Sequence, residues 1–252
     1  MKRLIFLFLL SQLMACGSSG SVSLSAEQLK VNDRLLAEVA MTNGRPGSAI
    51  EIYQALLGQA PQDVELLYLL GSAYNLSGEY EVALHQLNKA SRINREAGYA
   101  SRGEIQREIG RAQLASGDTP QALISLELAS SLLPGDAVTH NSLGVCYALH
   151  QDYQEARGAF QAALNIDPSS LEYRNNLALA WILDDKPQLG IDVIYPTYLR
   201  GKSTAKVRQN LALAFAMKGD LEAAKAIARQ DLTKAELERN LDFYGQWQGK
   251  GQ

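Results

Sequence analysis

The sequence predicts an all-α fold, a solenoid of about six helix hairpins closed by one more helix at the C-terminal end. Three observations predict it. "LLGSAYNLSGEYEVAL" from Leu69 and "SLGVCYALHQDYQEAR" from Ser142 agree place by place, with Leu70, Gly71, Tyr74, Gly78 and Ala83 against Leu143, Gly144, Tyr147, Gln151 and Ala156. The same ruler marks blocks starting at Lys30, Val64, Gly103, Ala137, Leu171 and Ala205, each 34 residues after the last except the second step of 39. Turn residues punctuate the blocks at fixed offsets. Gly44, Gly78, Gly117 and Gly219 fall between paired helices, and Pro61, Pro134 and Pro168 fall where second helices must stop.

The N-terminus has the three-part form of an export signal: Lys2 and Arg3, the apolar run Leu4 to Leu10, then a polar break and small residues. The run is far shorter than the ~20 residues of a membrane-spanning helix. "LMAC" at Leu13 to Cys16 resembles a bacterial lipobox. That resemblance implies a signal peptide over residues 1–15 and a diacylated Cys16 as first residue of the mature chain. Gly17, standing where enterobacterial-type sorting rules place Asp for inner-membrane retention, implies the periplasmic face of the outer membrane. Two acyl chains suffice for stable anchoring. "GSSGSVSLS" from Gly17 is a flexible tether, so residues 16–29 are read as lipidated cysteine plus tether.

Within the blocks, the eighth place is Ala37, Gly71, Gly110, Gly144, Ala178 and Ala212, and the twentieth is Ala49, Ala83, Ala122, Ala156, Gly190 and Ala224. Small residues there let two antiparallel helices approach. Tyr74, Tyr147, Trp181 and Phe215 in first helices, and Tyr53, Leu87, Leu126, Phe160 and Ile194 in second helices, fill the space beside them. This pattern resembles the tetratricopeptide repeat. The resemblance implies a right-handed superhelix over residues 30–238, with first helices lining a concave groove. Two departures stand out. The five extra residues fall in "INREAGYASRGE", which predicts a longer loop or a lengthened helix. Pro196 and Thr197 predict that the second helix of the fifth block ends early or kinks. After the sixth block, Thr233 and Glu236 form a capping box ahead of Leu237, Leu241 and Tyr244, so the segment 239–252 is read as part of a cap whose tail frays.

Chemistry is sparse. The formal charge of −3 becomes −5 once Lys2 and Arg3 leave, 22 basic residues then facing 27 acidic ones, which disfavours a nucleic-acid partner. Phosphate-binding, zinc-protease and nucleophile-elbow motifs are absent from the sequence. Cys16 and Cys146 do not form a disulfide framework. Cys146 and His150, four apart on one helix, offer a thiol and a base, but the ruler puts Cys146 in the packing between helices, where it acts as a small hydrophobe. No catalytic residue, metal site or cofactor is expected beyond the lipid on Cys16, and no small-molecule substrate.

The groove remains. In tetratricopeptide solenoids the second, fifth, sixth, ninth, twelfth and thirteenth places face it, and here these include Arg107, Arg111, Asn141, Asn175, Asn176, Gln209 and Asn210. Amides both donate and accept, which suits capture of an extended peptide or helix end, and equally suits bonding between adjacent repeats. Arg200, Lys202, Lys206 and Arg208 form a basic cluster at the fifth-to-sixth junction, read as a solvated face ahead of an acidic-partner surface.

"YRNNLALAWIL" from Tyr173, "VRQNLALAFAMKGDLEAAKAIARQDL" from Val207 and "ERNLDFYGQW" resemble the tight-adherence (Tad or Flp) pilus assembly lipoprotein family, TadD, over roughly Thr139 to Trp247. Asn176, Arg208, Asn210, Leu211, Asp220, Asn240 and Tyr244 fall on that family's recurring letters. The resemblance implies a non-enzymatic factor that binds or pilots a pilus component, the secretin first among candidates. The alternatives are another envelope scaffold of the same repeat class, serving peptidoglycan enzymes or barrel assembly, and an enzyme acting through Cys146.

Overall fold

A computed structural model describes residues 26–97 and 101–240. The signal peptide, Cys16, most of the tether, Leu241 and Tyr244 lie outside the described residues. The described residues are helical, with no strand among them, and none of the described helices is long and apolar enough to cross a membrane.

Twelve α-helices follow one another as hairpins: α1 (Ala26–Thr42) with α2 (Pro46–Gln59), α3 (Val64–Ser77) with α4 (Tyr80–Ala97), α5 (Arg102–Ala115) with α6 (Thr119–Leu132), α7 (Ala137–Leu149) with α8 (Tyr153–Ile166), α9 (Leu171–Leu183) with α10 (Pro187–Leu199), and α11 (Ala205–Met217) with α12 (Leu221–Ala228). A further helix occupies residues 234–240. The extra residues of the second block lengthen α4 to 18 residues.

Four of the first helices are started by chemistry the sequence supplies. Asp63, Asp136, Ser170 and Thr204 accept hydrogen bonds from the amides of Leu66, Thr139, Tyr173 and Val207, satisfying donors that a helix start leaves free. All six hairpin turns close alike. The backbone N–H of Arg45, Glu79, Asp118, Asp152, Lys186 and Asp220 donates to the carbonyl of Ala40, Tyr74, Gln113, Tyr147, Trp181 and Phe215, the long bond of a Schellman cap. The residue before the donor must then be left-handed. Gly44, Gly78, Gly117 and Gly219 meet that need with φ of 67°, 85°, 88° and 87°, whereas Gln151 (66°) and Asp185 (53°) meet it with a Cβ in place. Gln151→Gly is therefore expected to stabilise the protein by about 1 kcal/mol, read as a higher urea midpoint.

The core is a chain of neighbouring clusters, not one central mass. It runs from Ala37, Tyr53, Leu67 and Leu87, through Leu126, Leu143 and Cys146, then Phe160 and Leu177, to Ile194, Leu211 and Ile227. Such nearest-neighbour burial is what a repeat unable to bury its own apolar face requires. Helices pack on those next in sequence, and in addition α3 meets α5, α5 meets α7, α7 meets α9 and α9 meets α11. The row whose members touch one another is the inner row of a curved stack, so the first helices line the concave side.

In the fifth block, where the sequence predicts that the second helix ends early or kinks, the early end does not occur. α10 runs through Pro196 to Leu199. Pro196 falls in the last turn, so the ladder loses little. Tyr195 and Tyr198 stack with ring centroids 5.9 Å apart, Phe215 meets Tyr195 edge-on at 5.8 Å, and Thr197 is 2% exposed. This packing against α11 holds the turn that the proline weakens.

At the C-terminal end the capping box forms. The Thr233 amide donates to Glu236 Oε2 at 2.8 Å and the Glu236 amide donates back to Thr233 Oγ1 at 3.4 Å. Leu237 packs on the core beneath. Arg208, read as part of a basic cluster, is committed here instead: its guanidinium holds Asp231 by two donors and the Ser203 carbonyl by a third. The Asp231 carboxyl is held below its usual range by that guanidinium.

Candidate groove on the concave face

On the inner row, the polar side chains at the fifth and sixth places meet across repeat boundaries. Asn176 Nδ2 donates to Asn141 Oδ1 at 2.9 Å, and Asn210 Nδ2 donates to Asn175 Oδ1 at 3.0 Å, so the fourth, fifth and sixth repeats are stitched by the same exchange. Asn175 is 2% exposed and belongs to this seam. The bonds run amide to amide. Gln209 is exposed on the same row.

Between the second, third and fourth repeats an ionic cluster takes the place of the amides. Glu108, its side chain 4% exposed, accepts from Arg107 Nε at 3.1 Å, from Arg111 Nη1 at 3.0 Å and from Asn75 Nδ2 at 3.1 Å. Arg107 continues outward, donating from Nη1 to Asp136 Oδ1 at 3.2 Å and from Nη2 to the Tyr68 phenol at 3.0 Å. Burial alone would push the Asp136 carboxyl up; the Thr139 hydroxyl and amide and the Arg107 guanidinium outweigh it and hold the carboxyl below its usual range. Arg107 is thus occupied on all sides. Arg111 spends one nitrogen on Glu108 and keeps about a third of its side chain exposed.

Arg111 and Asn141 share the wall of a cavity of about 420 Å³ with Asn75, Tyr80, Leu114, Val138, Val145, Glu172 and Tyr173 among others. Asn141 Nδ2 donates to Glu172 Oε1 at 3.3 Å across it. Asn75 Nδ2 donates to the backbone carbonyl and the carboxylate of Glu108, and its Oδ1 is buried without a partner among the described residues. The lining mixes apolar walls with a few convergent polar groups, the usual make-up of a binding pocket. Asn75, Val138 and Glu172 are not among the groove residues singled out from the sequence. They stand at the twelfth and second places, and reading every inward place across all six blocks finds them.

Cys146 is 0% exposed, with its thiol toward the Thr119 carbonyl at 3.5 Å. Burial pushes that thiol up to about 11. His150 Nδ1 lies 2.9 Å from the Cys146 carbonyl oxygen, so the imidazole is engaged with backbone and not with sulfur. The two do not form a thiol–base pair. Among the described residues no cluster of His, Cys, Asp and Glu could hold a metal ion.

Models of the tetratricopeptide repeat match residues 34–101 and 137–170. No curated protein matches the chain. Among solved structures, a thermophilic repeat protein of Thermus thermophilus is 22% identical with a TM-score of 0.60, covering 74% of this chain and 98% of its own. A chain of the APC/C hetero-tetramer Cut9-Hcn1 is 18% identical with a TM-score of 0.69, covering 84% of this chain and 42% of its own. MamA from Desulfovibrio magneticus RS-1 is 20% identical with a TM-score of 0.57, covering 69% and 97%. At such identities the likeness shows the fold.

Proposed function

This chain is a tetratricopeptide-repeat protein, and from that premise we propose that it is a non-enzymatic, lipid-anchored binding protein that captures a protein segment in its concave groove. The observation that carries the reading is the cavity spanning the second to fifth repeats. Its apolar walls, Leu114, Val138, Val145 and the two tyrosines, take an apolar side chain. Arg111 and Asn141 then meet the backbone or a polar group beside it.

The finer reading is that the chain serves assembly of tight-adherence (Flp) pili at the periplasmic face of the outer membrane, with the secretin or another pilus component as partner. It is supported by the resemblance of residues from Thr139 to Trp247 to TadD lipoproteins and by the lipobox at Cys16. Anchoring the groove at the membrane raises the effective concentration of any membrane-bound partner.

The test is co-purification of envelope proteins with the wild-type chain, Val138→Glu and Cys16→Ser from its own cells. Glu already stands at the same place in three blocks, as Glu65, Glu104 and Glu172, so Val138→Glu leaves the fold intact. It removes an apolar contact, and the partner is expected to be recovered about tenfold less. Cys16→Ser is expected to lose both membrane placement and surface pili. Unchanged recovery with Val138→Glu contradicts the groove, and normal piliation with Cys16→Ser contradicts the anchor.

A further inference from the structure

The two ends of the solenoid are finished differently. At the C-terminal end the helix over residues 234–240 turns Lys234, Glu238 and Arg239 to solvent. At the N-terminal end α1 turns out Val31, Leu35, Leu36 and Val39, which are 61%, 59%, 58% and 44% exposed. Leu36 and Val39 stand at the seventh and tenth places of their block. In the other blocks those places are Leu70 and Ala73, Ile109 and Ala112, Leu143 and Cys146, Leu177 and Ala180, Leu211 and Ala214, all buried against the preceding repeat. Among the described residues α1 therefore carries an inter-repeat face with no repeat packed on it, where a terminal repeat needs a polar outer side.

We propose that this face is the interface of a two-fold dimer, α1 of one copy packing antiparallel on α1 of a second copy. Three features choose that occupant. Val31, Leu35 and Val39, at the second, sixth and tenth places, recur every four residues on one stripe. The stripe runs along the groove-side edge of that face, where the sixth-place Asn176 and Asn210 of later blocks meet the preceding repeat. It reads the same in both directions: with Leu35 on Leu35 of the second copy, each Val31 meets a Val39. A two-fold interface requires such self-complementarity. The next feature rests on the lipid anchor proposed above, which removes residues 1–15: the chain left before α1, "CGSSGSVSLS", has too few apolar residues to supply a covering helix of its own. The stripe also has no aromatic residue, and of the two cations beside it, Lys30 and Arg34, the second is tied back to Asp63 and Glu65 at 2.9 and 2.6 Å, which leaves too little positive charge to seat a helix on a bilayer. The charged cap at the opposite end stops open-ended stacking, so association closes at two copies. One helix pair is a small interface, and the dissociation constant falls on the order of micromolar.

Sedimentation velocity of the full chain over a concentration series tests this. The wild-type chain is expected to pass from monomer to dimer and no further. Leu35→Glu is expected to weaken dimerisation roughly tenfold or more, while Leu199→Glu, a comparably exposed leucine at the end of α10, leaves it unchanged. Val138→Glu in the groove, which leaves the fold intact, is also expected to dimerise normally, so dimerisation and partner capture fail independently. A monomer at every concentration overturns the proposal and assigns the stripe to the chain's own residues 1–25 or to a lipid surface. A dimer that survives Leu35→Glu, or assembly beyond two copies, overturns it as well.

Discussion

Glu108→Ala is expected to destabilise the solenoid by about 3 kcal/mol, the scale for removing one partner of a buried ionic cluster. The carboxylate is 4% exposed and is shared by Arg107, Arg111 and Asn75. Without it Arg107 retains Asp136 and Tyr68, but its Nε donor is left facing an alanine, and Asn75 loses its side-chain acceptor. The loss is local, because a repeat array is held by interfaces between neighbours. Amide exchange should therefore accelerate first in α3 to α6, with a lower calorimetric midpoint, and the Asn75 wall of the groove should loosen with it. Glu108→Gln keeps the shape and one acceptor and is expected to cost less. A cost under about 1 kcal/mol for the alanine variant would contradict this account of the cluster.

Gly144→Ala is expected to cost about 1–3 kcal/mol, the range for overpacking a filled interior. A Cβ on Gly144 would lie 2.6 Å from the Phe160 ring, and Phe160 is 2% exposed with no room to withdraw. Gly71 and Gly110 face the Leu87 and Leu126 side chains in the same way, at 2.5 and 2.6 Å. The repeat thus trades size across the helix crossing, with glycine at the eighth place in these three blocks and a bulky residue sixteen positions on. The double variant Gly144→Ala with Phe160→Leu should recover part of the loss in thermal unfolding. Additive losses in the double variant would place the strain elsewhere.

Much of the fold is legible because the repeat restates it six times. Helix bounds, hairpin turns and the small-against-large crossing follow from residues at fixed places, and Gln151 takes the left-handed turn because its place in the ruler demands it, as Gly78 does in the second block. The last turn of α10 is not legible, because a local rule about Pro196 leaves out the Tyr195, Tyr198 and Phe215 rings that hold it. The groove is legible only by place. An asparagine both donates and accepts, so its type cannot say whether it will bond across a repeat boundary, as Asn176 and Asn210 do, or leave an oxygen unspent beside a cavity, as Asn75 does. Arg107 and Arg111 look alike in sequence, yet a hydrogen-bond network that closes only in three dimensions buries the first and leaves the second partly open.

Photocrosslinking in the native cells tests the central claim most directly, with a photoreactive residue at Val138 on the inner row and, in a separate chain, at Ile124 on the outer row, 36% and 60% exposed. Capture in the concave groove predicts a discrete crosslinked envelope protein from Val138 and none from Ile124, although Ile124 is the more accessible. The same product from Ile124, or none from Val138, would contradict it.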